Sequence, residues 1–449
     1  MTSGLPFTTS RREPYLKSSG SDAYRVESYD LELRYRITRN RLDATATITA
    51  HANRGIRSLS LDLVGLRASK VKVGDKSARF TQNATKLTVT LPSSVAADEC
   101  VRVRVEYGGS PRPRSSRWGT IGWEELEDGV IVAAQPTGAP TWFPCNDRPA
   151  DKARYRIRIE TDASYLAVAN GELVHKSLSS GVASWEYVQD EPTSSYLATM
   201  QIGRYQTHVD ASAVVPLKLI RPRSLARRVA ADFAPLADML TCFTGAFGRY
   251  PFAEYKVVIT ADDLEIPLEA QGMAVFGANH ADGHGGSERL VAHELAHQWF
   301  GNSVGLADWR DIWLNEGFAC YAEWIWSEYS GGPSAQECAE QHHEGLTRQA
   351  RDIMVGDPGP QRMFDDRVYK RGALALHALR ARFGNERFFG ALREWTWAHQ
   401  HGTATTADFV ALAERVMGDE AAELIDLWLY RLPLPELPAL PDPPPLPLG

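Results

Sequence analysis

The chain has 449 residues, 43% of them hydrophobic, which is too long for one compact core and predicts two or three domains. Charged residues make up 23% of the chain, the formal net charge is −7, and no basic block stands out. Nucleic acid is therefore not expected as a partner, because phosphate binding needs clustered Lys and Arg. The five dispersed cysteines, the missing secretory leader and the lack of an 18-residue apolar run predict a cytoplasmic protein without a membrane partner.

The first half of the chain has the pattern of a β domain. Residues 1–22 are rich in Ser, Gly, Thr and Arg, and we expect a disordered arm there. Hydrophobic and polar residues then alternate in segments such as 29–37, 101–107 and 154–159. Period two indicates strands with one buried and one solvated face. Several such strands, separated by Gly, Pro and Asn, predict a β-sandwich-like domain over residues 23–210.

The second half, residues 211–431, is predicted to be mainly helical. A helical run covers residues 225–247, with a break at a proline, and residues 257–259 read as a short buried strand. From residue 287 onward nearly every segment has helical periodicity. Residues 432–449 are dense in Pro and Leu and predict an extended tail, since this composition supports neither a helix nor a central strand.

A metal-binding pattern lies in this helical half. Residues 293–297 read HExxH, and the i, i+4 spacing places His293 and His297 on one face of a helix, as two zinc ligands require. Glu316 follows 19 positions after His297, near the start of a second helix. A helix, a loop and a returning helix can bring this carboxylate to the open side of the two imidazoles. We therefore predict one zinc ion per chain, held by His293, His297 and Glu316.

The same pattern predicts the chemistry of the site. Two histidines and one glutamate leave a coordination position open, which is typical of catalytic rather than structural zinc. Glu294 follows the first ligand directly, so we predict that it is the general base that accepts a proton from water. Asp311 has two interpretations, as a group that orients a ligand imidazole or as a helix cap. The sequence thus predicts a zinc metallopeptidase.

The motifs resemble one known family. HELAHQWFGNSV (293–304) followed by WLNEGFACYAEW (313–324) is similar to the zinc signature of the M1 aminopeptidases, the gluzincins that include aminopeptidase N and leukotriene A4 hydrolase. PTGAPTWFPCNDRP (136–149), FGRYPFAEYKVV (247–258) and VYKRGALALHAL (368–379) resemble further segments of that family. The resemblance implies a multidomain α+β fold, with an N-terminal β-sandwich-like domain followed by a thermolysin-like, mainly helical zinc peptidase domain.

The resemblance also implies a role for Tyr369. The tyrosine at the matching place in the family donates its hydroxyl group to the oxyanion of the tetrahedral intermediate. A neutral phenol aimed at developing charge suits this task in a dry site. Without the resemblance, Tyr369 would be interpreted as a core aromatic residue.

Substrate recognition depends on how residues 266–275 align with the family motif Gly-x-Met-Glu-Asn, whose glutamate holds the free amine of a peptide. One register keeps the acid as Glu269, and a second register puts Ala274 in its place. We favour the first, because an ammonium site without a carboxylate would be poor. Gln135 takes the place of a second acidic anchor and can accept a hydrogen bond without adding charge.

These observations predict a zinc aminopeptidase that hydrolyses N-terminal residues from peptides. The alternative is a zinc endopeptidase, or a peptidase of altered specificity, if Glu269 does not bind the free amine. An epoxide hydrolase like leukotriene A4 hydrolase and a catalytically silent binding protein are less favoured. Many M1 members continue into a helical C-terminal domain, and we expect a short form without that domain here. What covers the site stays open, as does the oligomeric state.

Overall fold

The computed structural model describes residues 13–439, which form two adjoining domains. The strands of the first domain are β1 Tyr24–Arg36, β2 Arg41–Ala52, β3 Ile56–Asp62, β4 Arg67–Val73, β5 Lys76–Ser77, β6 Phe80–Gln82, β7 Lys86–Val95, β8 Cys100–Gly109, β9 Arg114–Ser116, β10 Gly119–Leu126, β11 Gly129–Ala133, β12 Ala153–Asp162, β13 Leu166–Ala169, β14 Glu172–Ser179, β15 Val182–Thr193 and β16 Met200–Gly203. Those of the second are β17 Tyr205–Asp210, β18 Leu217–Pro222, β19 Tyr255–Ile259, β20 Leu268–Ala270, β21 Met273–Phe276, β22 Gly305–Leu306 and β23 Thr403–Ala404. The helices are α1 Ala226–Asp232, α2 Leu236–Phe247, α3 Glu288–Ala296, α4 Trp313–Tyr329, α5 Ala335–Thr347, α6 Asp366–Ala398, α7 Thr406–Met417 and α8 Asp419–Leu429.

The first domain is built from three sheets around one core. The largest sheet has the strand order β14-β15-β12-β1-β2-β8-β4-β5, and its neighbours are antiparallel except for the parallel pair β1 and β12. A three-stranded sheet (β3-β7-β6) and a five-stranded sheet (β13-β16-β11-β10-β9) contribute side chains to the same core. The alternating residues fill it because successive side chains of a strand point to opposite faces. The predicted fold class, with a β-sandwich-like domain before a mainly helical one, is confirmed.

The second domain packs its helices against a sheet of order β17-β18-β19-β21-β20. Strands β18, β19 and β21 run parallel, and β19 and β21 are buried along their whole length, which explains their continuous hydrophobic runs. β20 lies at the edge of this sheet, antiparallel to β21. Because β17 pairs with β18, this sheet begins at residue 205, before the predicted domain boundary at residue 210.

Helices α4 and α6 cross at a pair of glycines. A methyl group added to Gly317 on α4 would lie 2.9 Å from the Cα atom of Gly372 on α6, so the two backbones are in direct contact. Gly317 follows Glu316 in the chain, and Gly372 lies three residues after Tyr369. The crossing therefore sets the distance between the elements that carry these two predicted site residues.

The described part of the N-terminal arm corrects one prediction. Residues 13–22 were expected to be disordered, yet they lie against both domains. The hydroxyl group of Tyr15 accepts a hydrogen bond from the backbone N–H of Gly359 at 2.7 Å in the second domain. In the first domain the backbone N–H of Gly20 donates to Asp62 at 2.8 Å. These polar contacts order a segment that composition alone marks as loose; the first twelve residues lie outside the described part of the chain.

The proline-rich tail follows the surface of the helical domain over its described residues, 432–439. The guanidinium group of Arg371 donates to the backbone carbonyls of Leu432 and Pro433 at 3.2 and 3.1 Å. The carbonyl of Pro435 lies 2.7 Å from Nε2 of His343. The remainder of the predicted tail, residues 440–449, lies outside the described residues. Within residues 13–439, no helix combines the length and the apolar character needed to cross a membrane.

Candidate metal centre

The three predicted metal ligands converge in the structure. Nε2 of His293 and Nε2 of His297 lie 3.6 and 3.4 Å from the same oxygen atom, Oε2 of Glu316. All three side chains are buried, and their donor atoms lie within 4.8 Å of one another. This is the compact arrangement of two imidazoles and one carboxylate that a zinc ion requires.

The local chain geometry explains this convergence. Helix α3 places the two histidines one turn apart, and the chain then reverses through a loop before α4 begins. Gly301 lies in this loop with φ of +115°, a conformation that L side chains rarely adopt. A methyl group there would also lie 3.0 Å from the side chain of Asn315. The loop thus approaches the start of α4 closely enough to place the adjacent Glu316 opposite the imidazoles.

Both histidines are oriented by hydrogen bonds through Nδ1. In His297, Nδ1 lies 3.1 Å from the carbonyl oxygen of Phe300, which can only accept, so the proton resides on Nδ1 and Nε2 is left as a metal donor. In His293, Nδ1 lies 2.7 Å from Oε1 of Glu323. Arg289 in turn donates to both oxygens of Glu323 at 2.9 Å, which fixes the carboxylate. Contacts of this kind set the imidazole tautomer in metal sites.

Sequence reasoning missed Glu323 and proposed Asp311 as one candidate for this orienting role. Oδ1 of Asp311 instead accepts hydrogen bonds from the backbone N–H and the hydroxyl group of Thr406, at 3.1 and 2.6 Å, at the start of α7. Asp311 therefore binds the N-terminal end of the distant helix α7, and it does not cap α4, the helix that follows it in the chain. The signal for Glu323 was present, since it follows Glu316 by seven residues, two turns along the same helix face.

The charges at the site favour a cation. Burial works to lower the pKa of His293, but hydrogen bonds to Glu316 and Glu323 raise it to about 10. Burial opposes ionisation of Glu316, but the charge of His297 and hydrogen bonds from both rings lower the pKa of this carboxyl group to about 2. With no metal ion bound, the carboxylates therefore favour protonated imidazoles. A divalent ion would take the place of these protons and leave neutral imidazole donors, so the donor set fits zinc.

Glu294 and Tyr369 lie beside the three ligands. Glu294 is buried, and its Oε2 atom has no hydrogen-bond partner among residues 13–439, so the carboxylate is available for a proton or a substrate group. Tyr369, in the first turn of α6, has its ring 6.1 Å from the ring of His293 and nearly parallel to it. Burial raises the pKa of Tyr369 well above its usual range, so the phenol stays protonated and can donate a hydrogen bond.

Glu269 and Gln135 meet at the same site, although 134 positions separate them in the sequence. Nε2 of Gln135 donates to Oε1 of Glu269 at 2.5 Å. Glu269 lies on the edge strand β20, and donor atoms of Glu269, Glu294 and His297 lie within 4.8 Å of one another. Glu269 also pairs directly with Ala274 on β21, and opposed residues share a sheet face. The two sequence registers placed the amine-binding position at residue 269 or at residue 274. These two residues are direct neighbours in the sheet, and of the two only Glu269 carries a carboxylate.

Two further residues, which the sequence did not reveal, attach the β20–β21 hairpin to the end of α3. Oε1 of Gln298 accepts a hydrogen bond from the backbone N–H of Gly272 at 2.8 Å. Nδ2 of Asn302 donates to the carbonyl of Ala270 at 2.9 Å. Ala270 follows Glu269 directly, so the segment that follows α3 also holds the strand that carries Glu269.

Sequence comparison relates both domains to known proteins. The profile described as Peptidase family M1 domain matches residues 239–428, and that of the Peptidase M1 N-terminal domain matches residues 25–197. The leucyl aminopeptidase of Saccharolobus solfataricus is 26% identical over 407 residues, covering 83% of this chain and 49% of the relative. Aminopeptidase M1 of Arabidopsis thaliana is 24% identical over 426 residues, covering 83% and 48%. The chain thus spans about half the length of the curated relatives that it matches.

Structure comparison extends the match to nearly the whole chain. The M1 zinc metallopeptidase of Deinococcus radiodurans superposes with a TM-score of 0.88 at 29% identity, covering 95% of this chain and 99% of that one. A mutant of that protein was crystallised with a Tyr-Ser-Ala substrate. Both family profiles match in order along the chain, and the same two-domain fold surrounds a donor set suited to the metal of that relative. The chain therefore belongs to peptidase family M1, and zinc is its cofactor.

Proposed function

We propose that this protein is an aminopeptidase that removes residues from the N-termini of peptides. The observation that carries the proposal is the position of Glu269 beside Glu294 and His297. A carboxylate at this distance can bind the free amine of a substrate while the first peptide bond lies over the metal. An exopeptidase needs such an anchor, since the amine marks the end of the chain to be cut.

The environment of Glu269 supports this role. Among the described residues, no Lys or Arg forms an ion pair with it, so its charge has no permanent partner. Glu269 is only partly exposed to solvent. A carboxylate in such a position without a cation is costly, and a substrate ammonium group would reduce that cost. Gln135 holds one carboxylate oxygen through its N–H, and its own amide oxygen is a further acceptor for the amine.

The remaining residues have distinct proposed roles in hydrolysis. When bound by His293, His297 and Glu316, zinc supplies a Lewis acid and an acidified water. Glu294, whose Oε2 atom has no hydrogen-bond partner among the described residues, would accept a proton from the attacking water and donate it to the leaving amine. The hydroxyl group of Tyr369 donates a hydrogen bond to the carbonyl oxygen of the scissile bond as negative charge develops there.

The relatives agree with this proposal as far as their names go. A leucyl aminopeptidase and an aminopeptidase M1 share both domains with this chain, and a zinc metallopeptidase of the same two-domain form was crystallised with a tripeptide. All five cysteines are free in the structure, which supports the proposed cytoplasmic location. Peptides are the proposed substrates, and we propose no nucleic acid or membrane partner.

The decisive experiment compares each aminoacyl fluorogenic substrate with its N-acetylated counterpart. We expect hydrolysis of the free-amine substrate only, lost with a chelator and restored by zinc. Glu269→Gln should lower kcat/KM for the free-amine substrate by about 100-fold, because a charged partner of the ammonium is lost. Equal turnover of free and acetylated substrates by the wild-type protein would instead establish the endopeptidase alternative.

A further inference from the structure

Lys152 makes an unusual set of contacts between the two domains. It directly precedes β12 in the first domain, yet its ammonium group donates to three backbone carbonyls of the second domain. The acceptors are Asn302 at 2.9 Å, Ser303 at 2.9 Å and Gly402 at 3.1 Å. An ammonium group has three N–H donors, so these carbonyls satisfy all of them.

The base of this side chain is fixed in the first domain. On one side Asp151 is buried and accepts a hydrogen bond from the backbone N–H of Val26 at 3.0 Å. On the other side Ala153 is buried and begins the pairing of β12 with β15. Because hydrogen bonds hold both neighbouring residues in the first domain, the backbone of Lys152 moves together with that domain.

One of the acceptor residues, Asn302, also contacts a proposed metal ligand and the strand β20. The backbone N–H of Asn302 donates to the carbonyl of the zinc ligand His297 at 3.0 Å. The side chain of Asn302 donates to the carbonyl of Ala270, next to Glu269. One residue, Asn302, therefore links the lysine to the end of the metal-binding helix and to the strand that carries Glu269.

We infer that Lys152 is a positioning residue that uses the first domain to align Glu269 with the free amine of the substrate. Gln135 of the same domain contacts the Glu269 carboxylate directly. Lys152 acts indirectly, through Asn302 and the backbone of Ala270. Lys152 is suited to positioning because its contacts are directional hydrogen bonds to backbone carbonyls. Within the described part of the chain, no carboxylate forms an ion pair that would compete for its ammonium group. This inference rests on the proposed aminopeptidase function.

The test uses the zinc-loaded full chain and measures kcat and KM for matched free and N-acetylated aminoacyl substrates. The discrimination ratio is kcat/KM for the free substrate divided by kcat/KM for the acetylated one. Lys152→Met should lower this ratio by about tenfold or more, mainly through a higher KM for the free substrate, with zinc content unchanged. Combined with Glu269→Gln it should add little further loss, because both changes remove the same interaction.

Two other variants control for folding and for loss of a partly buried charge. Asn302→Ala removes the link to Ala270 but keeps the carbonyl that Lys152 uses, so it should lower the ratio in the same way, and it decides the question if Lys152→Met fails to fold. Lys86→Met removes a lysine whose contacts, Asp62 and Gly20, lie away from the site, and it should keep the wild-type ratio.

The outcomes separate the two proposals. A wild-type ratio in Lys152→Met, or losses that multiply in the double variant with Glu269→Gln, would overturn the positioning role while leaving the aminopeptidase proposal intact. A wild-type protein that does not discriminate between the free and acetylated substrates would overturn the aminopeptidase proposal itself. A drop in zinc content and kcat with an unchanged ratio would show that Lys152 supports only the fold.

Discussion

The crossing of α4 and α6 gives a prediction whose size can be worked out from the structure. In Gly317→Ala the new Cβ atom would lie 2.9 Å from the Cα atom of Gly372 and 3.0 Å from its carbonyl carbon, where ordinary contacts begin at 3.4 Å. The helices must therefore separate by roughly 0.5 Å, the difference between 2.9 and 3.4 Å. Such overpacking costs about 1–3 kcal/mol.

The change should also reduce activity. Gly317 adjoins Glu316, whereas Tyr369 lies on the opposite helix, so separating the helices moves the carboxylate ligand away from the tyrosine. A misplacement of 1 Å can cost about 100-fold in rate, so we expect kcat to fall by about tenfold. Zinc content, measured by metal analysis, should remain at one ion per chain, since all three ligands are retained.

Gly390→Ala is the matched control, because Gly390 also lies in a helix and a methyl group added there would meet no neighbouring atom of residues 13–439 within 4 Å. Both variants gain about 1 kcal/mol of helix propensity, so their difference isolates the cost of the contact. The melting temperature of Gly317→Ala should lie below that of Gly390→Ala by about 1–2 °C per kcal/mol, because the entropy of unfolding grows with chain length. Equal melting temperatures and equal kcat values in the two variants would refute the argument.

Four further changes test individual side chains. Glu323→Gln should weaken zinc binding about 10- to 100-fold in a competition titration, because His293 loses its charged partner; an unchanged affinity would argue against this role. Glu294→Gln should abolish turnover but keep zinc, and surviving turnover would show that the base lies elsewhere. Tyr369→Phe should lower kcat by about 100- to 1,000-fold with little change in zinc content, and a kcat near wild type would exclude the hydroxyl group from catalysis. Burial raises the pKa of Asp311 from 3.8 to about 6. Ionisation of this carboxyl group therefore lowers the free energy of unfolding as the pH rises through this interval. Asp311→Asn should gain stability relative to wild type by up to about 3 kcal/mol between pH 4 and 6, measured by thermal melts, whereas a pH-independent difference would contradict the assignment.

The convergence of His293, His297 and Glu316 was predictable from the sequence because their geometry is local. Helical spacing alone places His293 and His297 on one face, and Glu316 comes at the start of the next helix. The alternating strands and the helical breaks were equally local signals. The arrangement of these three side chains was thus predictable from periodicity and spacing.

Other features depend on contacts between distant segments, and no local pattern specifies them. The bond from Gln135 to Glu269 joins the two domains, and the sequence suggested both residues only through a family resemblance. The links through Lys152 and Asn302 end on backbone carbonyls, which leave no trace in the sequence. Asp311 illustrates the opposite error. Its place near the metal motif made it a candidate for orienting a ligand imidazole, but in the structure it contacts the first residue of α7.

The ordered arm has a practical consequence for anyone who shortens or tags this protein. Tyr24 begins the first strand and would be a natural place to cut, because every metal donor lies beyond it. Such a cut would discard the hydrogen bonds by which Tyr15 and Gly20 connect the two halves of the molecule. A fusion joined ahead of Glu13 keeps these contacts between the two domains.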